Sequence, residues 1–198
     1  AGNSVYESFD QGDNLTEIGP NVGNGAGIAY GGYQGGVANA NVLYVGSGNN
    51  VYVRTNSGPG GTISVTPVNF PGGAVRELAM DPSDWRTVYV VSASAVYMTT
   101  NAGAGWVDIT GDLPAGSEFF SVQVITSPTL TVGGVVVGSL SGVYLSSAST
   151  LGTWNHLGAN MPNAQVTSLV YDVGSDTLVA GTLGRGAFTF SSRSEEHT

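Results

Sequence analysis

The 198-residue sequence predicts an all-β protein, built from four-stranded antiparallel meanders repeated in tandem. Three observations carry that prediction. Short β-branched and aromatic runs alternate with turn-forming residues along the chain, the pattern of strands on a half-buried pleated surface. No stretch shows a convincing helical period of apolar residues. Most tellingly, one pair recurs as Val5-Tyr6, Val51-Tyr52, Val96-Tyr97, Val143-Tyr144 and Ala187-Phe188, its aromatic returning at steps of 46, 45, 47 and 44 residues. A period in the forties with four strands per unit is that of a β-propeller blade. Solenoids use shorter repeats with helices or single strands per turn.

Residues 75–110 are the clearest copy of the unit. Val75–Met80 forms the first strand and is ended by Asp81-Pro82-Ser83-Asp84, where Asp and Ser bond back to the backbone and Pro fixes φ. Residues 87–91 form the second strand, Ser92-Ala93-Ser94 a turn, and residues 95–99 the third strand. Asn101-Ala102-Gly103-Ala104-Gly105 is a turn whose glycines admit positive φ, and residues 106–110 form the fourth strand. The same phasing divides the chain into a half blade (residues 1–20), blades at 21–70, 71–113 and 114–160, and three strands of a last blade (161–192). That makes about three full and two partial blades, expected to form part of a larger ring whose missing blades belong to the same chain. Residues 193–198 break the apolar pattern and read as sequencing-adapter read-through or a disordered tail.

The turns after the third strands carry a resemblance. Ser8-Phe9-Asp10-Gln11-Gly12-Asp13-Asn14-Leu15 resembles the Asp-box (BNR repeat) of sortilin-type, sialidase-like and xyloglucanase-type propellers, Ser/Thr-x-Asp-x-Gly-x-x-Trp. Thr99, Asn101, Gly103 and Trp106 match it with Asn for Asp. The octapeptide at 147–154 keeps the spacing to Trp154 but has Ser149 and Leu151 in place of Asp and Gly. Thr55-Asn56-Ser57-Gly58 is a fainter copy. In such a family the box is a structural turn far from the ligand face. The resemblance therefore implies a fold, and a structural role for Ser8, Asp10, Gly12, Thr99, Asn101, Gly103, Trp106 and Trp154.

Composition excludes several functions. Acids outnumber bases 14 to 5, for a net charge of −9, and Lys is absent, so the basic footprint of a nucleic-acid binder is missing. Attraction to anionic membranes is disfavoured for the same reason, and no apolar run reaches the length of a membrane helix. Zero Cys removes disulfides and thiolate metal sites, and His156 has no convincing second ligand, so no metal and no cofactor are expected. The Gly/Ser/Thr/Asn-rich, Lys-free composition points to an extracellular or cell-surface location.

The resemblance implies that ligands meet the face formed by two sets of connections. The loops from fourth to first strands are residues 19–25, 69–73, 112–118 and 159–165. The turns between second and third strands are residues 47–50, 92–94, 139–141 and 182–186. Their only charged residues are Asp112, Glu118 and Arg185. Arg185, flanked by glycines, suits the grip of a carboxylate or phosphate. Asp112 and Glu118 are weak catalytic candidates: two carboxylates at the right separation perform general acid–base glycoside hydrolysis, whereas two solvated loop acids do nothing. No Arg-Ile-Pro motif accompanies Arg54, Arg76 and Arg86, which disfavours a sialidase. Trp85, Tyr30 and Tyr33 are candidate sugar platforms or ordinary exposed aromatics. The reading is a non-catalytic binding or scaffold module of an exported propeller protein, with a glycan or protein ligand on the loop face. The alternative is a xyloglucanase-like glycoside hydrolase fragment.

Overall fold

The computed structural model describes residues 4–19, 21–22, 25–55, 61–126, 133–158 and 161–191. Residues 193–198, most of the faint box at 55–58, and parts of the loops at 19–25 and 159–165 lie outside that set. The described residues are all β and turn. The first unit contributes β1 (Val5–Glu7) and β2 (Thr16–Gly19). The second contributes β3 (Gly25–Tyr30), β4 (Tyr33–Gln34), β5 (Val37–Ala38), β6 (Leu43–Ser47), β7 (Asn50–Arg54) and β8 (Ser64–Val65). The third holds β9 (Val75–Met80), β10 (Val88–Ser92), β11 (Val96–Thr99) and β12 (Val107–Asp108). The fourth holds β13 (Phe119–Ile125), β14 (Gly134–Ser139), β15 (Gly142–Ser147) and β16 (Trp154–Leu157). The last holds β17 (Val166–Asp172), β18 (Thr177–Thr182) and β19 (Gly186–Ser191).

These strands form three antiparallel four-stranded sheets in the orders β3-β6-β7-β8, β9-β10-β11-β12 and β13-β14-β15-β16. They are flanked by the two-stranded sheet β1-β2 and the three-stranded sheet β17-β18-β19. Each sheet is therefore a simple meander, as expected from turns too short to cross over. The first strands pack side by side along the chain, β3 on β9, β9 on β13 and β13 on β17.

The core lies between sheets. The second strands β6, β10 and β14 are buried along their whole length, on both faces, which is why they read as continuous Val/Tyr runs rather than alternating ones. One face of each packs on the preceding blade and the other on the next. Tyr44, Val53, Val88, Val90 and Tyr97 share one such layer, and Tyr89, Val91, Val135, Val137 and Tyr144 the next. Ile125, Val136, Leu178, Ala180 and Phe188 make a third.

Two departures from the sequence expectation have local causes. The fourth strand of the third unit is shorter than predicted. β12 keeps only Val107 and Asp108: the Ile109 amide still donates to the Val96 carbonyl of β11 at 2.9 Å, but the Val96 amide donates at 3.0 Å to the Thr110 hydroxyl rather than to a backbone carbonyl. The small hairpin β4–β5 is additional. Its turn, Gly35-Gly36, has φ of 56° and 79°, the two successive positive values of a tight hairpin that only glycine takes without strain. This hairpin reaches the next blade, where the Trp85 amide donates to the Tyr33 carbonyl at 2.8 Å.

Candidate functional site

The two families of connections expected on one face do meet there. The Val75 amide donates to the Gly48 carbonyl at 2.8 Å and the Phe119 amide to the Ala93 carbonyl at 3.1 Å. The Leu140 amide donates to the Glu118 carbonyl at 2.8 Å, and the Leu183 amide to the Gln165 carbonyl at 2.9 Å. Each second-to-third turn is thus pinned beside the start of a first strand, by one backbone bond.

The predicted charged residues separate on this frame. Glu118 accepts a hydrogen bond from Arg76 Nη2 at 3.1 Å, while Arg76 Nη1 donates to the Phe119 carbonyl and the guanidinium lies 4.6 Å from the Phe120 ring centroid. Arg76 stands on β9, so this cluster ties one blade's inner strand to the next. Asp112 lies elsewhere. Its Oδ1 accepts the Trp154 amide at 2.7 Å, at the start of the outer strand β16. Asp112 and Glu118 therefore engage different strands of different blades: one reaches an outer strand, the other the end of an inner one. Arg185 sits in the β18–β19 turn between Gly184 and Gly186, whose φ values are 78° and 81°, and it is exposed. Among the described arginines, Arg54, Arg76 and Arg86 hold carboxylates and Arg185 holds none. Leu183 and Leu140, in neighbouring turns of this face, are both more than half exposed.

The turns after the third strands hold the seams between blades. In the first, Ser8 Oγ donates to Asp10 Oδ1 at 2.9 Å and accepts the Gly12 amide at 2.7 Å. Asp10 accepts the Asn14 amide at 2.9 Å and also the Asn14 side chain. Those bonds, the side chain of Asn14 foremost, hold the Asp10 carboxyl below the usual carboxylate range. The third blade repeats the geometry. Thr99 Oγ1 donates to Asn101 Oδ1 and accepts the Gly103 amide, both at 2.9 Å, and Ala102 and Gly103 take φ of 57° and 79°. The Trp106 indole then donates to the Val68 carbonyl of the preceding blade at 3.0 Å, and the Trp154 indole to Ile109 at 2.9 Å.

The fourth blade corrects the register read from sequence in part. Ser146 takes the strand position of Thr99, opposite Trp154, and its Oγ accepts the Gly152 amide at 3.1 Å, while Ser147 and Ser149 make the side-chain contact (2.8 Å) and the amide bond (3.2 Å) that Thr99 and Asn101 make. The turn is one residue longer, so Gly152 (φ 90°) replaces the glycine expected at Leu151. The second blade departs further. Arg54 stands where the others have Ser8, Thr99 and Ser146, and its side chain is fully buried. It donates to both carboxylate oxygens of Glu7 at 2.7 Å, to the Asn41 carbonyl at 2.8 Å and to the Gly61 carbonyl at 3.0 Å. Sequence reasoning passed over this pair; the visible signal was an arginine aligned with a column of hydroxyls.

Glu77 was also passed over. On β9, its Oε2 accepts the Val122 amide of β13 at 2.9 Å. Burial pushes this carboxyl above its ordinary range, against the opposing effect of that amide. Arg86 lies with Asp84 in the turn between first and second strands, and its carbonyl accepts the Ala102 amide of the third-to-fourth turn. It therefore belongs to the face opposite the loops. A shallow recess of about 570 Å³ beside β7 and β8, lined by Val53, Thr55, Thr62 and Ser64, holds no carboxylate. Among the described residues no group of three or more His, Asp or Glu is placed to hold a metal ion.

Neither a protein-family model nor a curated protein matches this sequence. Solved structures do. An ancestral GH74 enzyme superposes with a TM-score of 0.66 at 17% identity, over 91% of this chain and 25% of that one. The fold is a partial β-propeller. The extracellular domain of a one-component system from B. thetaiotaomicron gives 0.64 at 16% identity, over 96% of this chain and 26% of that one. The Cps50 (Swd1) β-propeller domain of Myceliophteria thermophila gives 0.64 at 10% identity, over 93% and 57%. The chain thus spans about a quarter of the first two. At such identities the likeness concerns architecture alone, and the propeller frame hosts unrelated functions.

Proposed function

We propose that this chain is a non-catalytic binding or scaffold module of an exported Asp-box propeller protein, and that it meets a glycan or protein ligand on the loop face. The observation that supports this reading is the commitment of the loop carboxylates. Asp112 is bonded to the Trp154 amide at an outer strand and Glu118 to Arg76 on an inner one, so each is engaged, on different strands, in the seam between the third and fourth units. Hydrolysis of a glycosidic bond needs two carboxyls flanking one bond, roughly 5–10 Å apart with one poised as acid. Arg185, exposed and without a carboxylate partner, is the group left to engage a ligand, and an anionic one suits it best: a uronic or sulfated sugar, or an acidic protein segment. The Ser8 and Thr99 turns, with the matching hydrogen bonds described above, support the Asp-box assignment.

The test is a binding panel of neutral and acidic polysaccharides, read by calorimetry, run beside a reducing-sugar assay on xyloglucan and other β-glucans. The expected result is binding of an acidic member, weakened at least tenfold by Arg185→Ala, with no sugar released. Sugar release abolished by both Asp112→Asn and Glu118→Gln would overturn the reading in favour of the hydrolase.

A further inference from the structure

The loop face hides most of its large apolar side chains and shows two of them in adjoining turns. Val22, Phe70, Leu113 and Met161, all in the connections of this face, are buried, whereas Leu140 and Leu183 are 52% and 67% exposed. The two leucines hold the same position in successive sheets. Each donates its amide to the carbonyl of the residue just before the first strand of its own sheet, Leu140 to Glu118 and Leu183 to Gln165. Gly138, at the end of the strand leading to Leu140, lies so close to Val166 that a Cβ there would stand 2.7 Å from its Cγ1, and Val166 follows the Gln165 that holds Leu183. Leu140 stays exposed although the next sheet, β17-β18-β19, is packed on its own. Its exposure therefore belongs to the turn and not to an uncovered blade.

Charge and side-chain type narrow what these leucines can meet. Beside Leu140, Glu118 is already paired with Arg76 at 3.1 Å. In the turn of Leu183, Arg185 is exposed and holds no carboxylate among the described residues, so these two turns are positive on a chain of net charge −9. A sugar ring is commonly gripped by the flat face of an aromatic side chain, and the described connections of this face offer none. Phe70, the aromatic they contain, is enclosed edge-on by Tyr97 and Trp106, with ring centroids 5.4 and 5.2 Å away. Phe120, at the start of β13, has its ring faced by the Arg76 guanidinium. Aliphatic side chains around a free guanidinium instead match a polypeptide, whose apolar groups release water from the leucines while a carboxylate forks onto the arginine.

Resting on the binding reading given above, we propose that the ligand of the loop face is a polypeptide segment in which apolar side chains flank Asp or Glu, seated across the β14–β15 and β18–β19 turns. Its apolar side chains cover Leu140 and Leu183. Its carboxylate pairs with Arg185, a residue type enriched in protein interfaces. An acidic polysaccharide has only the arginine to hold and binds the same face more weakly.

Random linear peptides displayed on phage, selected on the purified chain, test this. The recovered peptides are measured by fluorescence anisotropy and a polyuronate by calorimetry. The peptides are expected to place Leu, Ile or Phe next to Asp or Glu. Arg185→Ala is expected to weaken peptide and polyuronate alike, by roughly tenfold, as the loss of a charge-assisted bond does. Leu140→Ser is expected to weaken the peptide by roughly fivefold and leave the polyuronate unchanged, because only the peptide buries the leucine. Leu183→Ser, at the equivalent position, serves in its place if that variant does not fold. Peptides without the acidic–apolar motif, peptides that bind Leu140→Ser as they bind the wild type, or no recovered peptide while the polyuronate binds would each overturn the protein ligand and leave the binding reading in place. Binding of neither probe would overturn both.

Discussion

Arg54 sets the most demanding prediction. Replacing it with Ala removes two charge-assisted bonds to Glu7 and two bonds to the carbonyls of Asn41 and Gly61. The Glu7 side chain, only 9% exposed, then loses the guanidinium that meets both of its oxygens and keeps the 3.3 Å bond from the Tyr30 hydroxyl among its contacts. Removing one member of a buried ion pair costs about 3–5 kcal/mol, most of it the penalty of leaving the other charge unpaired. The two orphaned carbonyls push the loss toward the upper end, at about 1 kcal/mol each. Against the roughly 5–15 kcal/mol that holds a typical domain, such a loss is large. Glu7→Gln is expected to cost about 2–4 kcal/mol, since an amide returns one acceptor but no charge. The double variant Glu7→Leu with Arg54→Met is expected to cost far less than the two singles together, because neither member of the pair is then buried without the other. Urea unfolding of the four proteins gives the coupling free energy. An Arg54→Ala loss below about 1 kcal/mol, or singles that simply add, would refute the argument that the pair is buried and mutually dependent.

Glu77→Gln addresses pH. Burial raises the folded-state pKa of Glu77 above its ordinary 4.5, so the folded protein holds that proton more tightly than the unfolded chain. The stability this contributes is complete below the unfolded value and is lost as pH rises through the folded one. The urea midpoint of Glu77→Gln should fall less over that window, and at pH 7 the variant should be as stable as wild type or up to about 1 kcal/mol more so, its amide oxygen still accepting the Val122 N–H. Gly103→Ala is expected to cost more than Gly12→Ala. Both glycines have positive φ, 79° and 101°, but a Cβ on Gly103 meets the Thr66 side chain at 2.4 Å and one on Gly12 meets nothing. About 1 kcal/mol for position 12 and 2–4 for position 103, by thermal unfolding, is the expected order. Trp154→Phe loses the indole bond to Ile109 and should cost about 1–2 kcal/mol. Asp112→Asn should cost less than about 1 kcal/mol, because Asn Oδ1 can still accept the Trp154 amide.

The blades were legible because burial on both faces turns each second strand into an unbroken apolar run, and because one aromatic marks every third strand. The outer strands were harder to bound. Thr110 looks like one more ladder residue, yet it meets Val96 through its side-chain hydroxyl, which a pattern of residue types does not reveal. The β4–β5 hairpin hid within a glycine-rich stretch that also reads as a plain loop. Among the site candidates, Arg185 could be placed from its turn alone. The partners of Asp112 and Glu118 could not: each lies 42 positions away in sequence, Trp154 ahead and Arg76 behind, so sequence supplies the carboxylates without their bonds. In the fourth blade the box is shared: Ser147 and Ser149 make the turn bonds that the spacing to Trp154 implies, whereas the glycine bond passes to Ser146 because the turn lengthens around Gly152.

The four turns bearing Gly48, Ala93, Leu140 and Leu183 are each pinned by a single backbone bond, while the seams draw on the opposite turns, the outer strands and buried side chains. Lengthening one of those four turns therefore adds mainly a loop-closure cost that grows slowly, by about 0.6 kcal/mol per doubling. They form a set of grafting sites on one rim of a rigid frame, where foreign recognition peptides could be displayed side by side without retuning the frame beneath them.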